Sequence, residues 1–287
     1  MAFNTKKHDK VLQSTLDEID SGVFDNVKAL ENQVADIVAQ ELTPEATRPQ
    51  IMQAFETHSR EARSSAAPLT NISSDVLEQS SIPTDSADFQ SQSTLLSVSE
   101  DQISTSMTSG GEDVVKTIVL GTVAGIGTQA LINQVRGRIS GINMDSNDPT
   151  VRKAQRQLRK MMKTGGYTAA EYASVKNRIK RNLPGNVNTA ASVATRMSTV
   201  VDSVVQTFNS TFVKGRAKRN EIETFEYVGP IGPTSRPFCQ GMVGSIMNEE
   251  EINGVWDSES WAGKEPGDPF VVAGGYNCRH YWNPIEP

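Results

Sequence analysis

Cysteine is nearly absent from this chain. It occurs twice in 287 residues, beside three histidines and an aromatic content of 6%. Two cysteines cannot build a small disulfide scaffold. So few aromatics, with only 37% hydrophobic residues, argue against one large enzyme-like globule and for helices, arms and a modest core. A long hydrophobic run is also missing. The longest, residues 118–132, is short of a membrane span and is interrupted by Gly121, Gly125, Gly127 and Gln129. The first residues lack a basic–apolar–cleavage pattern, so no signal peptide is expected and synthesis in a cytoplasm is. There is no phosphate-binding glycine loop with its lysine and no HExxH helix. The chain is long enough for one large domain or two smaller ones. Its net charge is −6, unevenly spread: the first 110 or so residues are acidic and residues 151–183 strongly basic.

What is present is mostly helical pattern. In residues 1–63, Val11, Leu12, Leu16, Ile19, Val23, Val27, Leu30, Val34, Ile37 and Val38 recur at three- and four-residue steps. This predicts an amphipathic helix, bent near Gly22, then a break over 41–49 and a second helix over 50–63. Residues 64–111 are rich in Ser, Thr, Asp and Gln and lack a firm period, which predicts a polar linker or extended arm, with plain disorder as the alternative. Leu77, Ile82, Phe89, Leu95, Leu96 and Val98 are its candidate anchors on neighbouring subunits. Residues 112–184 form a helical region. Glu112 and Asp113 suit the start of a helix running to Arg138. A basic helix pair follows, over 151–163 and 168–181, turning at Gly165-Gly166. It carries Arg152, Lys153, Arg156, Arg159, Lys160 and Lys163, then Lys176, Arg178, Lys180 and Arg181. Such clustered charge suits phosphates of DNA or an acidic protein surface, and a solvated face explains it as well.

Leu183-Pro184-Gly185 stops that pattern. Val193 to Phe212 then keep helical spacing for about five turns, closed by Lys214, Arg216, Lys218 and Arg219. A strand is predicted over 222–228, a short helix over 248–256, and two short strands over 270–273 and 277–282. On such a strand Cys278 and His280 share one face and Arg279 takes the other. The fold class is therefore mainly α, with extended N-terminal helices, a polar arm and a small α+β module over 185–287.

Both cysteines fall in that module, and three readings of them stay open. Cys239, Cys278 and His280 are suitable zinc ligands, though a fourth is not obvious because His8 and His58 are distant in sequence. Cys239 and Cys278 can pair as a disulfide outside the cell. Or two buried thiols pack a small glycine-rich fold, with no cofactor, and His280 and Arg279 are hydrogen-bonded nearby. A Cys239–His280 nucleophile pair is weakly supported, because no third orienting group or oxyanion signature accompanies it.

The order of blocks carries more than any one block. Tyr227-Val228-Gly229-Pro230 is followed by Ser235-Arg236-Pro237-Phe238-Cys239, then Glu250-Glu251-Ile252, then Gly274-Gly275-Tyr276-Asn277-Cys278-Arg279-His280-Tyr281-Trp282. This series resembles the C-terminal module of the phage Mu F-like minor head proteins. The likeness covers about residues 185–287. It departs where Ile231-Gly232-Pro233 stands in a turn that often holds an acid, and where Ser235 replaces Thr. The resemblance implies a non-enzymatic virion protein acting in head morphogenesis, near the portal vertex or inside the capsid, and assisting assembly or genome packaging and delivery. It implies portal, capsid and other virion proteins as partners, several copies in a symmetric assembly, and contact with packaged DNA as a further option. Tyr227, Gly229, Pro230, Arg236, Cys239, Gly275, Asn277, Cys278, Arg279, His280 and Trp282 would be its structural motif. The rival expectations are a small zinc-containing nucleic-acid-binding protein and a Cys-dependent enzyme.

Overall fold

The structure, a computed structural model, describes residues 3–40, 43–140, 192–232, 235–264, 266–275 and 278–285, with positions 157 and 174. The chain divides into two units, one of residues 19–65 and 101–200, the other of residues 1–18, 66–100 and 201–287. It is mainly helical, with a small three-stranded sheet near the C-terminus. Among the described residues no helix is long and apolar enough to cross a membrane. The ten basic positions from Arg152 to Arg181 lie outside the described residues, as does Asn277.

The N-terminal helix α1 (Thr5–Ala39) runs unbroken through Gly22. Its apolar positions, spaced three and four apart, bury one face: Leu12, Leu16, Ile19, Val23, Val27, Leu30 and Val34 are all buried. Gly22 serves close packing, since a Cβ there would lie 2.8 Å from Ser65 Oγ. Helix α2 (Pro44–Ser64) starts six residues before the expected 50, with the Thr43 side chain accepting from the Ala46 N–H and Pro44 in the first turn, while Pro49 lies inside it.

Residues 64–111 are not an arm. They form α3 (Leu69–Gln79), α4 (Ser86–Thr108) and the first turn of α5 (Gly110–Val123). Many of their serines and threonines stay exposed, among them Ser74, Ser81, Ser93, Ser97 and Thr105, while others bond to α2. Ser59 and Ser104 hydroxyls meet at 2.6 Å, and Thr108 donates to Ser59 Oγ at 2.9 Å. Of the expected intersubunit anchors, Leu77 and Leu95 pack within the chain beside Phe212 and Val213. Ile82 packs on the C-terminal core, while Phe89 and Val98 are exposed.

The single helix expected over 112–138 is two, α5 and α6 (Thr128–Ser140), divided at Gly125 with its left-handed φ of 69°. Gly121 lets them pack, because a Cβ there would meet Leu131 Cδ1 at 2.5 Å. In the same unit α5 also packs on α2.

The other unit holds the sheet. Helix α7 (Val193–Arg219) feeds β1 (Thr224–Val228) through Glu221, which has a φ of 54°. β1 is central, antiparallel to β2 (Ile246–Asn248) and to β3 (Tyr281–Pro284), with Tyr227 opposite Trp282. Between them come α8 (Pro237–Met242), α9 (Glu249–Ser258) and the one-turn α10 (Pro269–Val272). The strand expected over 270–273 is that helical turn, because the Asp268 side chain accepts from the Phe270 N–H and Pro269 presets its start. The last strand begins only at Tyr281, so Cys278 and His280 sit in the approach to β3 and not on it.

Candidate metal-ligating cluster

Three polar side chains converge in the C-terminal module. Cys239 is the third residue of α8, whose start is set by Pro237. Cys278 follows the turn at Gly274-Gly275, its N–H bonded to the Gly275 carbonyl at 2.9 Å. His280 leads into β3. Their ligand atoms all lie within 4.8 Å of one another. Cys239 Sγ is 3.8 Å from Cys278 Sγ, and Cys278 Sγ is 3.4 Å from His280 Nδ1. All three residues are buried, and both cysteines are free thiols.

The glycines around the cluster are demanded by close approach. At Gly274 a Cβ would lie 2.4 Å from Cys239 Sγ and 2.7 Å from Cys278 Sγ. At Gly229 it would meet His280 Cα at 2.8 Å. Gly275 has φ 92°, and a Cβ there would press to 2.0 Å from the Gly263 carbonyl oxygen. Tyr227 closes the core side. Its hydroxyl lies 3.6 Å from Cys239 Sγ and 3.7 Å from Cys278 Sγ, and its ring stacks on His280 at 5.5 Å. Trp282 packs edge-on to Tyr227 at 4.8 Å.

On the other side is a cavity of about 460 Å³, lined by both cysteines, His280, Pro230, Ile231, Gly232, Ser235, Arg236, Arg279 and Asp202. Arg279 faces Asp202 at 3.6 Å. Burial raises the Asp202 carboxyl, with Arg279 opposing. Arg236 donates from Nε to the Ala262 carbonyl, tying α8 to the loop after α9. Cys278 is the thiol that ionises first: the neighbouring Cys239 lowers it by hydrogen bonding, ahead of burial, which opposes, and of His280, which helps. Cys239 is pushed up by Cys278 and then by burial. Burial, then the two sulfurs, raise the Tyr227 phenol so that it stays protonated.

The cluster therefore brings together the three residues proposed as metal ligands, with Tyr227, Gly229, Gly275 and Trp282 around them. Sequence reasoning missed Gly274, Asp202 and the Tyr227 hydroxyl; a Gly-Gly pair four residues before Cys278 was the available signal. The expected nucleophile pairing changes. It is Cys278, not Cys239, that contacts His280 Nδ1, and His280 Nε2 is buried with no hydrogen-bond partner among the described residues. His8 is engaged elsewhere, with Nδ1 at 2.8 Å from Asp75 and Nε2 at 3.0 Å from Asn209. His58 contacts Glu61 and Gln33.

Neither family models, nor curated proteins, nor solved structures give a match to this chain.

Proposed function

We propose that this chain is a non-enzymatic minor head protein of a bacteriophage, of the phage Mu F-like kind, acting in head morphogenesis at the portal vertex or capsid interior. One observation carries the reading. The blocks that hold the resemblance, far apart in sequence, fold into one module, and their side chains are spent on bracing it. Tyr227 stacks on His280 and meets Trp282 edge-on, and Arg236 ties α8 to the loop after α9. Gly229 and Gly275 permit backbone approaches that no other residue would. A scaffold that docks on portal, capsid or other virion proteins needs such rigidity, and it needs no oriented base.

Mass spectrometry of purified particles, before and after genome release, tests the reading. The chain is expected in mature particles at few copies per virion. Its absence from them, or a turnover abolished by replacing Cys239 or Cys278, would overturn the proposal.

A further inference from the structure

We propose that Cys239 Sγ, Cys278 Sγ and His280 Nδ1 bind a Zn²⁺ ion, with water from the adjoining cavity as the fourth ligand. The inference goes beyond a role in the virion and does not depend on one. Two of the three ligand-pair distances carry it, with all three ligand atoms within 4.8 Å of one another. With Zn–S near 2.3 Å and tetrahedral angles, two zinc-bound thiolates stand about 3.8 Å apart. The two sulfurs here are 3.8 Å apart. With Zn–N near 2.05 Å, a zinc-bound thiolate and imidazole nitrogen stand about 3.5 Å apart, and Cys278 Sγ and His280 Nδ1 are at 3.4 Å. A disulfide would need the sulfurs at about 2.05 Å. Two thiolates and a neutral imidazole balance the charge of a dication, the two thiol protons leaving to solvent. Soft sulfur beside imidazole selects zinc over magnesium or calcium.

The surroundings fit a metal thiolate centre. The His280 backbone N–H points at Cys278 Sγ, at 3.5 Å, as donors around metal-bound sulfur do. Gly274 leaves the sulfurs room that any Cβ would take. The His280 ring is held by parallel stacking on Tyr227 and by contact with Gly229. Tyr227 is fully buried and does not line the cavity, whereas all three ligands do. The fourth position consequently opens to the cavity, as in zinc sites that keep an exchangeable ligand.

The test uses the full chain, purified without a histidine tag under reducing conditions. Elemental analysis is expected to give about one zinc per chain after desalting. Cobalt(II) exchanged into the wild-type chain should give a thiolate-to-cobalt charge-transfer band and tetrahedral visible bands, and zinc should bleach both. Azide should shift the visible bands by replacing the water. Cys239→Ser and Cys278→Ser should each lower bound metal at least about tenfold. Far-UV circular dichroism separates loss of metal from loss of fold in these variants, and the cobalt titration of the wild-type chain needs no variant. Less than about 0.1 zinc per chain with no cobalt band, a band that survives both substitutions, or thiols that resist alkylation until reduced would overturn the site. Visible bands that ignore azide would overturn the solvent ligand.

Discussion

A methyl group added at Gly274 would lie 2.4 Å from Cys239 Sγ and 2.7 Å from Cys278 Sγ. Neither sulfur can retreat easily, since both are buried and both touch the Tyr227 hydroxyl. Overpacking of this kind costs about 1–3 kcal/mol. Gly274→Ala should lower stability by that much in urea denaturation followed by tryptophan fluorescence. Gly241→Ala, in α8 with no atom within 4 Å of its Cβ, should be neutral or stabilising by up to about 1 kcal/mol. Asp88 makes a second residue-scale case. It is buried and paired with Arg216, itself buried, and with Arg219. Burial raises its carboxyl, but the Asp85 N–H and the two guanidinium groups outweigh burial and hold it below the ordinary range. A carboxyl lowered by folding adds stability above its unfolded value of about 3.9, and that stability is lost as pH falls through the folded value. Asp88→Asn should therefore cost about 3 kcal/mol or more at pH 7, by leaving Arg216 buried without its charge partner. It should also flatten the fall in stability below about pH 4. An unchanged acid limb in urea midpoints against pH would exclude this role.

At the scale of elements, α4 shows what sequence could not convey. Ser, Thr, Asp and Gln dominate it, and those residues favour caps and turns because their side chains compete for backbone groups. In α4 they bond back along the helix, as Thr94 does to the Gln90 carbonyl and Thr108 to the Ser104 carbonyl. The few apolar residues then decide its place, with Ile103 and Met107 fully buried. Ile103→Ala should cost about 2–4 kcal/mol, measured by chemical denaturation; a change below about 0.5 kcal/mol would mean the helix is a solvated arm after all. By contrast α1, α7 and α9 were legible, because their buried faces keep helical spacing and Asn248 with Glu251 forms a capping box. The α10 turn was not, since Phe270 to Val272 reads as β-rich and only the Asp268–Pro269 start contradicts it. Of the cluster, the ligand types were legible and their convergence was not. Cys239 and Cys278 are 39 residues apart, and only the Tyr227–Trp282 pairing of β1 with β3 and the folding of α8 bring them together.

For the whole molecule, the decisive property is where its charge lies. Net charge is −6, yet ten of its 28 basic residues fall between Arg152 and Arg181, with Glu171 the one acid among them. The molecule as a whole repels DNA, so any DNA contact has to be local to that stretch and strongly screened by salt. If six to ten phosphates are neutralised there, affinity should fall by about 10³–10⁵ between 50 and 200 mM salt. If the stretch contacts DNA, as the proposed role in a capsid would have it, that steep dependence is expected, read by fluorescence anisotropy of a labelled duplex at constant protein concentration. Replacing Arg156, Arg159, Lys160 and Lys163 with Gln should remove four phosphate contacts and reduce the slope of log affinity against log salt by about 3.6. Duplex binding that ignores both salt and the four substitutions would exclude this stretch as the DNA contact and leave it to an acidic protein surface or to solvent.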